Sequence, residues 1–211
     1  MTKIAMIGAG NVGGNLGARL SRAGVPVRFG VREGSDVSPV LARCAPDAAA
    51  TPVAEAAAWA DVIFLAVPGR AAVDAARGLG AVDGKILVDC TNPLRFDAGP
   101  VWNPPAEGSN AQAIAAACPT ARVVKAFNTF GAEHHEDPIT AAGAVDVQLA
   151  GDDAEAKATL ASLCEAGGFH AVDCGPLRNA GVLENLAVLW IHLAMVGGQG
   201  RDVAFKLVGR P

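Results

Sequence analysis

The most constraining feature of the chain is Gly8-Ala9-Gly10-Asn11-Val12-Gly13, a G-x-G-x-x-G string placed directly after the apolar run Ile4-Ala5-Met6-Ile7. The apolar run predicts a short strand. Beyond the glycines, Val12, Leu16, Leu20 and Ala23 recur at steps of three and four while Arg19 and Arg22 fall elsewhere. A helix from about Asn11 to Ala23 therefore lays one apolar stripe on a sheet, and Gly24 stops it. A second strand follows from Val25 to Phe29. In this strand, turn and helix context the glycines have separate duties. Gly8 permits the tight turn, Gly10 lets a diphosphate approach the backbone, and Gly13 lets helix and strand pack closely. Ala9, Asn11 and Val12 complete a loop whose free N–H groups and helix dipole face the anion, so no basic side chain is needed.

The same alternation continues along the chain. A helix near Val53 to Trp59, a strand Val62 to Val67, a helix near Ala71 to Arg77, a strand Ile86 to Asp89, a helix near Asn110 to Ala117 and a strand Val123 to Ala126 are expected in turn. The class is α/β, with a doubly wound parallel (Rossmann) sheet over residues 1–142. Residues 143–211 are expected to form a smaller C-terminal α/β lobe. It has a strand Val145 to Leu149, a helix Ala154 to Ala166, a strand Ala171-Val172-Asp173 and a long apolar helix from about Ala180. No Ser/Gly linker separates the two parts, so the lobe should pack on the core and help form an acceptor pocket.

Composition removes several function classes. Seventeen basic against twenty-one acidic residues give a formal net charge of −4. With no like-charge block, neither nucleic acid nor an anionic membrane is an expected partner. The five cysteines, Cys44, Cys90, Cys118, Cys164 and Cys174, are odd in number and form no C-x-x-C pair, which fits a reduced cytoplasm. No export signal is visible at the N-terminus. Gly181 to Val196 is the most apolar stretch, but Glu184, Asn185 and His192 interrupt it. It falls short of the ~18 uninterrupted apolar residues of a membrane span. Those three polar residues make a narrow stripe on a helix otherwise apolar all round, so the helix should be buried. A symmetric homodimer is expected to cover part of it; burial against the chain's own sheet is the alternative.

The tip of the second strand bears on the cofactor. It reads Phe29-Gly30-Val31-Arg32-Glu33, with Ser35 beyond. Gly30 has no carboxylate to repel a 2′-phosphate, and Arg32 can offer a charge-assisted fork to one, so NADP(H) is the expected dinucleotide. Glu33 as a ribose acceptor, with Arg32 an ordinary surface arginine, is the contrary case. Ligands of open parallel sheets lie beyond the strands' carboxyl ends. Those ends carry Ala66-Val67-Pro68-Gly69, Cys90-Thr91-Asn92-Pro93 and Lys125-Ala126-Phe127-Asn128-Thr129-Phe130. Asn92, Asn128 and Thr129 can hydrogen-bond a carboxamide or ribose, or can simply serve the turns. His134-His135-Glu136-Asp137 lacks the i, i+3 or i, i+4 spacing of helical metal pairs, so no metal is expected, and a solvated turn ending at Pro138 is.

Taken together, Ile7-Gly8-Ala9-Gly10-Asn11-Val12-Gly13, Gly30-Val31-Arg32, Val124-Lys125-Ala126-Phe127-Asn128 and Asp173-Cys174-Gly175-Pro176-Leu177 with Asn179 resemble the NADPH-dependent coenzyme F420 (deazaflavin) reductases across essentially the whole chain. The resemblance implies hydride transfer between the nicotinamide C4 and the deazaflavin C5. It also implies that Ala9, Gly10, Asn11 and Val12 hold the diphosphate, Arg32 the 2′-phosphate, and Val67 and Pro68 the nicotinamide side. Two positions depart from the family's archaeal reductases, which carry His where this chain has Asn128 and an aliphatic residue where it has Phe130. The Lys-Ala-Phe-Asn version is similar to the NADPH-oxidising domain of membrane ferric reductases. Val31 also removes a hydroxyl that relatives often offer to the 2′-phosphate. Asn128, Thr129 and Phe130 are the acceptor-positioning candidates. No catalytic acid or base is expected, since two stacked rings need proximity and exclusion of water. A free flavin, a ferric chelate or a small carbonyl or imine is the alternative small-molecule hydride acceptor, and an NADP(H)-binding redox sensor without turnover is a third reading.

Overall fold

The computed structural model describes residues 1–209. The chain begins with β1 (Ile4–Ile7), α1 (Asn11–Arg22) and β2 (Val27–Val31). A short α2 (Ser38–Leu41) leads to β3 (Ala49–Pro52), α3 (Val53–Trp59) and β4 (Val62–Leu65). A 3₁₀ turn at Gly69–Ala71 runs into α4 (Ala72–Arg77), and β5 (Ile86–Asp89) follows. A hairpin of β6 (Leu94–Phe96) and β7 (Pro100–Trp102) precedes α5 (Asn110–Ala117) and β8 (Arg122–Lys125). Next come α6 (Ala132–Glu136), the small pair β9 (Ile139–Thr140) and β10 (Gly143–Ala144), and β11 (Asp146–Gly151). The chain then forms α7 (Ala154–Ala166), β12 (His170–Asp173) and α8 (Ala180–Ile191), which continues as a π-helical turn over His192–Val196.

Eight strands form one sheet in the order β3-β2-β1-β4-β5-β8-β11-β12. Every neighbouring pair is parallel except β8 and β11, which pair antiparallel through Ala150 with Lys125 and Gly151 with Val124. This is the doubly wound α/β class, and the strand order reverses between β1 and β4, where a crevice opens at the carboxyl edge. Alternation along β1 shows how both faces are covered. Ile4 and Met6 join Leu16, Phe29, Phe64 and Phe127 on one side, while Ala5 and Ile7 join Ala56, Ile63, Leu65 and Leu87 on the other. The segment after residue 143 contributes β11 and β12 to this same sheet, with α7 crossing between them.

Three local expectations change. The strand β3 has no apolar signal in Ala49-Ala50-Thr51-Pro52; it exists because Arg28 to Val31 offer it a parallel edge to pair with. His134 and His135 are not in a solvated turn but sit on α6, 2% and 0% exposed. There Phe130 stacks near Phe169 and lies 4.7 Å from the His135 ring, centroid to centroid. The polar stripe on α8 also divides, because Glu184 is fully buried while Asn185 and His192 face out. Leu183, Ala187, Trp190 and Ala194 give α8 its packed side, and Val182, Leu189, Met195 and Val196 remain between 48% and 65% exposed.

Candidate functional site

The glycine loop sits at the strand-order reversal, between β1 and α1. A side chain at Gly8, where φ is +102°, would place its Cβ 2.5 Å from the Ala66 carbonyl oxygen. At Gly13 the Cβ would lie 2.1 Å from the Gly8 carbonyl oxygen, so both residues are glycine because the chain leaves no room. Gly10 is different: nothing lies within 4 Å of where its Cβ would be. The loop backbone there borders open space: Gly10 and Asn11 are exposed, and Ala9 and Val12 are half-buried. Gly10 caps α1 with no side-chain hydrogen bond, and the first turn holds no acidic residue. Helix geometry leaves the first N–H groups without partners inside the helix. An uncapped helix start with clear space before it fits a dinucleotide diphosphate on backbone donors alone.

At the β2 end, Ser35 N donates to Arg32 O at 3.1 Å across a tight turn that Gly34 closes at φ +77°. The turn brings Arg32 and Ser35 together at the carboxyl edge, both exposed, and Arg32 has no ion-pair partner among the described residues. Because β2 ends at Val31, Glu33 lies inside this turn rather than on the strand. Gly30 has a second reason to be glycine that the sequence did not reveal. Its Cβ would fall 2.6 Å from Ile7 Cδ1 and 3.3 Å from Ala56 Cβ, so the missing side chain points into the core under α3.

At the other end of the crevice, Ala66 and Val67 are half-buried and Pro68 is exposed. Asn92 and Asn128 are brought face to face. Asn92 Nδ2 donates to Asn128 O at 2.9 Å, and Asn128 Nδ2 donates to Asn92 Oδ1 at 2.9 Å and to Leu183 O at 3.1 Å. The residue before this pair, Phe127, has φ 59°, which is unusual for a bulky side chain. Its carbonyl and that of Gly131 face the two ring nitrogens of His135, each at 3.1 Å. A neutral imidazole can donate to only one of them. Burial nonetheless pushes the His135 pKa down to about 4, against the pull of both carbonyls. Thr129 and Phe130 are buried: Thr129 Oγ1 donates to Gln148 Oε1 at 2.5 Å, and Phe130 is 6% exposed in the aromatic cluster.

Behind the asparagine pair lies a group that no local spacing announces. Lys125 Nζ donates to Asp89 Oδ2 at 2.8 Å, to Glu184 Oε1 at 3.1 Å and to the Thr91 carbonyl, and all three charged side chains are 0% exposed. Glu184 Oε1 also accepts from Asn110 N at 2.9 Å, and Oε2 accepts from Trp102 Nε1 at 3.0 Å. Asp89 Oδ1 accepts from Thr91 N at 2.9 Å. Asn110 Nδ2 reaches Thr91 Oγ1 at 2.7 Å and Gly69 O at 3.0 Å. The segment Leu177–Val196 is long and apolar enough to cross a membrane by length and composition. Here Glu184 ties it into the sheet.

The chain is similar to known proteins along most of its length. Residues 3–93 match the family described as "NADP oxidoreductase coenzyme F420-dependent". The F420-dependent NADP reductase of Methanothermobacter marburgensis is 33% identical, with 99% of each chain covered. Metalloreductase STEAP3 of Rattus norvegicus is 31% identical over 86% of this chain, which spans 36% of that longer protein. The crystal structure of a putative F420-dependent NADP-reductase from Arthrobacter sp. FB24 superposes with a TM-score of 0.87 at 32% identity, covering 99% of this chain and all of that one. With 33% identity over 99% of both chains to an F420-dependent NADP reductase, this protein is a member of the F420-dependent NADP oxidoreductase family.

Proposed function

We propose that the protein transfers hydride between NADPH and coenzyme F420, the deazaflavin acceptor. The observation that carries this reading is the 33% identity to an F420-dependent NADP reductase along nearly the full length of both chains. The balance is NADPH plus a proton and the oxidised acceptor giving NADP⁺ and the two-electron-reduced acceptor. NADPH, when bound, supplies the hydride. The chain's own residues bind, orient and exclude water. Gly8, Ala9, Gly10, Asn11, Val12 and Gly13 cradle the diphosphate, and Arg32 with Ser35 takes the 2′-phosphate, a fit supported by the turn that joins them. Ala66, Val67, Pro68, Asn92 and Asn128 border the nicotinamide. Thr129 and Phe130 act on the acceptor side through packing, since both are buried. A second copy of the chain covers the exposed stripe of Val182, Leu189, Met195 and Val196 across a two-fold axis, a reading supported by how much apolar side chain α8 leaves in solvent.

The test is a titration with NADPH and NADH followed by oxidised coenzyme F420, with both chromophores watched. Bleaching of the deazaflavin together with NADPH loss is expected, and binding of NADPH without bleaching contradicts the F420 reading. A second reading is favoured by the Phe127-Asn128 pair and by the 31% identity to a metalloreductase. In it the same NADPH site serves a free flavin or ferric chelate. Turnover on riboflavin or FMN with none on F420 would select it, whereas no turnover on any acceptor would favour a sensor.

A further inference from the structure

Three charges that are wholly out of water need a reason, because replacing such a group by apolar residues is often no worse for stability. Lys125, Asp89 and Glu184 are placed where five segments meet around one end of the crevice: the carboxyl ends of β5 and β8, the start of α5, the β6–β7 hairpin and α8. Each Lys125 donor has an acceptor, and each oxygen of both carboxylates has a donor. A satisfied network of this kind holds its members in one arrangement. What lies one bond away from it is the edge of the crevice. Leu183, next to Glu184, supplies the carbonyl that holds Asn128 Nδ2, and Asn110, bonded to Glu184, supplies the amide that holds Gly69 beside Pro68. Gly69 is itself wedged against the Asn92 carbonyl, where a Cβ would come within 1.9 Å.

We propose that Lys125 and Glu184 are positioning residues for the nicotinamide end of the crevice: their ion pair sets how α8 sits on the sheet, and thereby where the Asn92–Asn128 pair and the Pro68–Gly69 turn stand. This rests on the NADPH reading above. The two residues touch neither ligand; they act through Leu183, Asn110 and the asparagines. Their loss should therefore spare the adenosine end, which the glycine loop and Arg32 supply.

The experiment compares wild type with Glu184→Gln, Lys125→Met and the double variant, using two probes. One is 2′,5′-ADP, which lacks the nicotinamide; the other is NADPH, followed by the emission of its bound ring. Affinity for 2′,5′-ADP should stay within about twofold of wild type, while the change in nicotinamide emission on binding is lost. Turnover should fall about 10- to 100-fold, the size of effect expected from a misplacement of about 1 Å, with KM for NADPH changed far less. The double variant lacks the Glu184 carboxylate that Lys125→Met strands, leaving Asp89 as the one uncompensated buried charge, so it should be more stable than Lys125→Met without regaining the emission. If Lys125→Met does not fold, Glu184→Gln, close in shape, keeps the test. Wild-type emission in Glu184→Gln and in the double variant would overturn the inference alone. A wild-type protein whose NADPH emission does not change on mixing would overturn the cofactor reading, and this inference with it.

Discussion

At the β2 end of the crevice Arg32 and Ser35 stand in solvent on a turn closed by Gly34, whereas at the β5–β8 end Lys125, Asp89 and Glu184 are buried and fully hydrogen-bonded. The first end can select among dinucleotides without involving the fold, since its side chains touch little else. The second cannot be altered without disturbing how α8, α5 and the hairpin meet. Under the proposed cofactor placement, specificity for the 2′-phosphate and geometry at the nicotinamide would rest on different kinds of structure, and substitutions can separate them.

The largest effect should come from the junction that serves both ends. Gly13→Val would drive a side chain into the Gly8 carbonyl, and NADPH and 2′,5′-ADP affinities should both fall by at least about 100-fold, some 2.7 kcal/mol or more. Isothermal titration checks it, and unequal losses would break the idea of a shared junction. Lys125→Met should cost about 3–5 kcal/mol of stability in a denaturant melt, because it leaves two carboxylates buried with one partner gone. His135 tests the β8 end by pH. Burial lowers its pKa from 6.5 to about 4, so the unfolded chain binds the extra proton between those values. Its contribution is intact above pH 6.5 and is lost progressively as pH falls toward 4, about 3 kcal/mol in all. His135→Gln should flatten that part of the stability profile, and an unchanged slope would refute the assignment.

Smaller effects belong to the exposed end and to α8. Arg32→Ala should weaken NADPH by about 1.5–3 kcal/mol, the worth of a hydrogen bond to a charged group. The same change should leave NADH affinity unaltered and unfolding stability within about 0.5 kcal/mol. Equal losses for the two dinucleotides would remove Arg32 from the 2′-phosphate. Leu189→Lys should do least to the fold, again within about 0.5 kcal/mol for the monomer. It should shift the sedimentation coefficient toward that of a single chain, and a wild-type protein that is already monomeric at high concentration would dispose of the second copy.

Legibility tracks sequence distance. The glycine loop, the helices Asn110–Ala117 and Ala154–Ala166, and the strand Ile86–Asp89 were readable because their signals are local: a turn, a period or an apolar run. The β3 strand was not, since its four residues depend on an edge formed by residues 28–31. Nor was the reversed direction of β11, because alternation is the same for parallel and antiparallel pairing. The turn chemistry of Arg32 to Ser35 was half visible, as a pair of donors without the bond that joins their ends. The charge network was invisible for a simple reason. Lys125 lies 36 residues from Asp89 and 59 from Glu184; taken alone, Asp89 and Lys125 read as ordinary polar residues at strand ends and Glu184 as one of three polar residues along an apolar helix. His134 and His135 misled because adjacent polar residues before a proline suggest solvent, while the packing of α6 against α1 puts both rings inside.

The bond from Trp102 to Glu184 gives the molecule a built-in optical probe. The chain has three tryptophans and no tyrosine, so its near-ultraviolet emission arises almost wholly from indole. Trp59 lies beneath the Arg28 guanidinium and Trp190 donates to Val203 O, which leaves Trp102 as the indole that senses a buried carboxylate. With Trp59 and Trp190 replaced by phenylalanine, the colour and lifetime of the remaining emission would follow the docking of α8 directly, in the same cuvette and on the same timescale as hydride transfer.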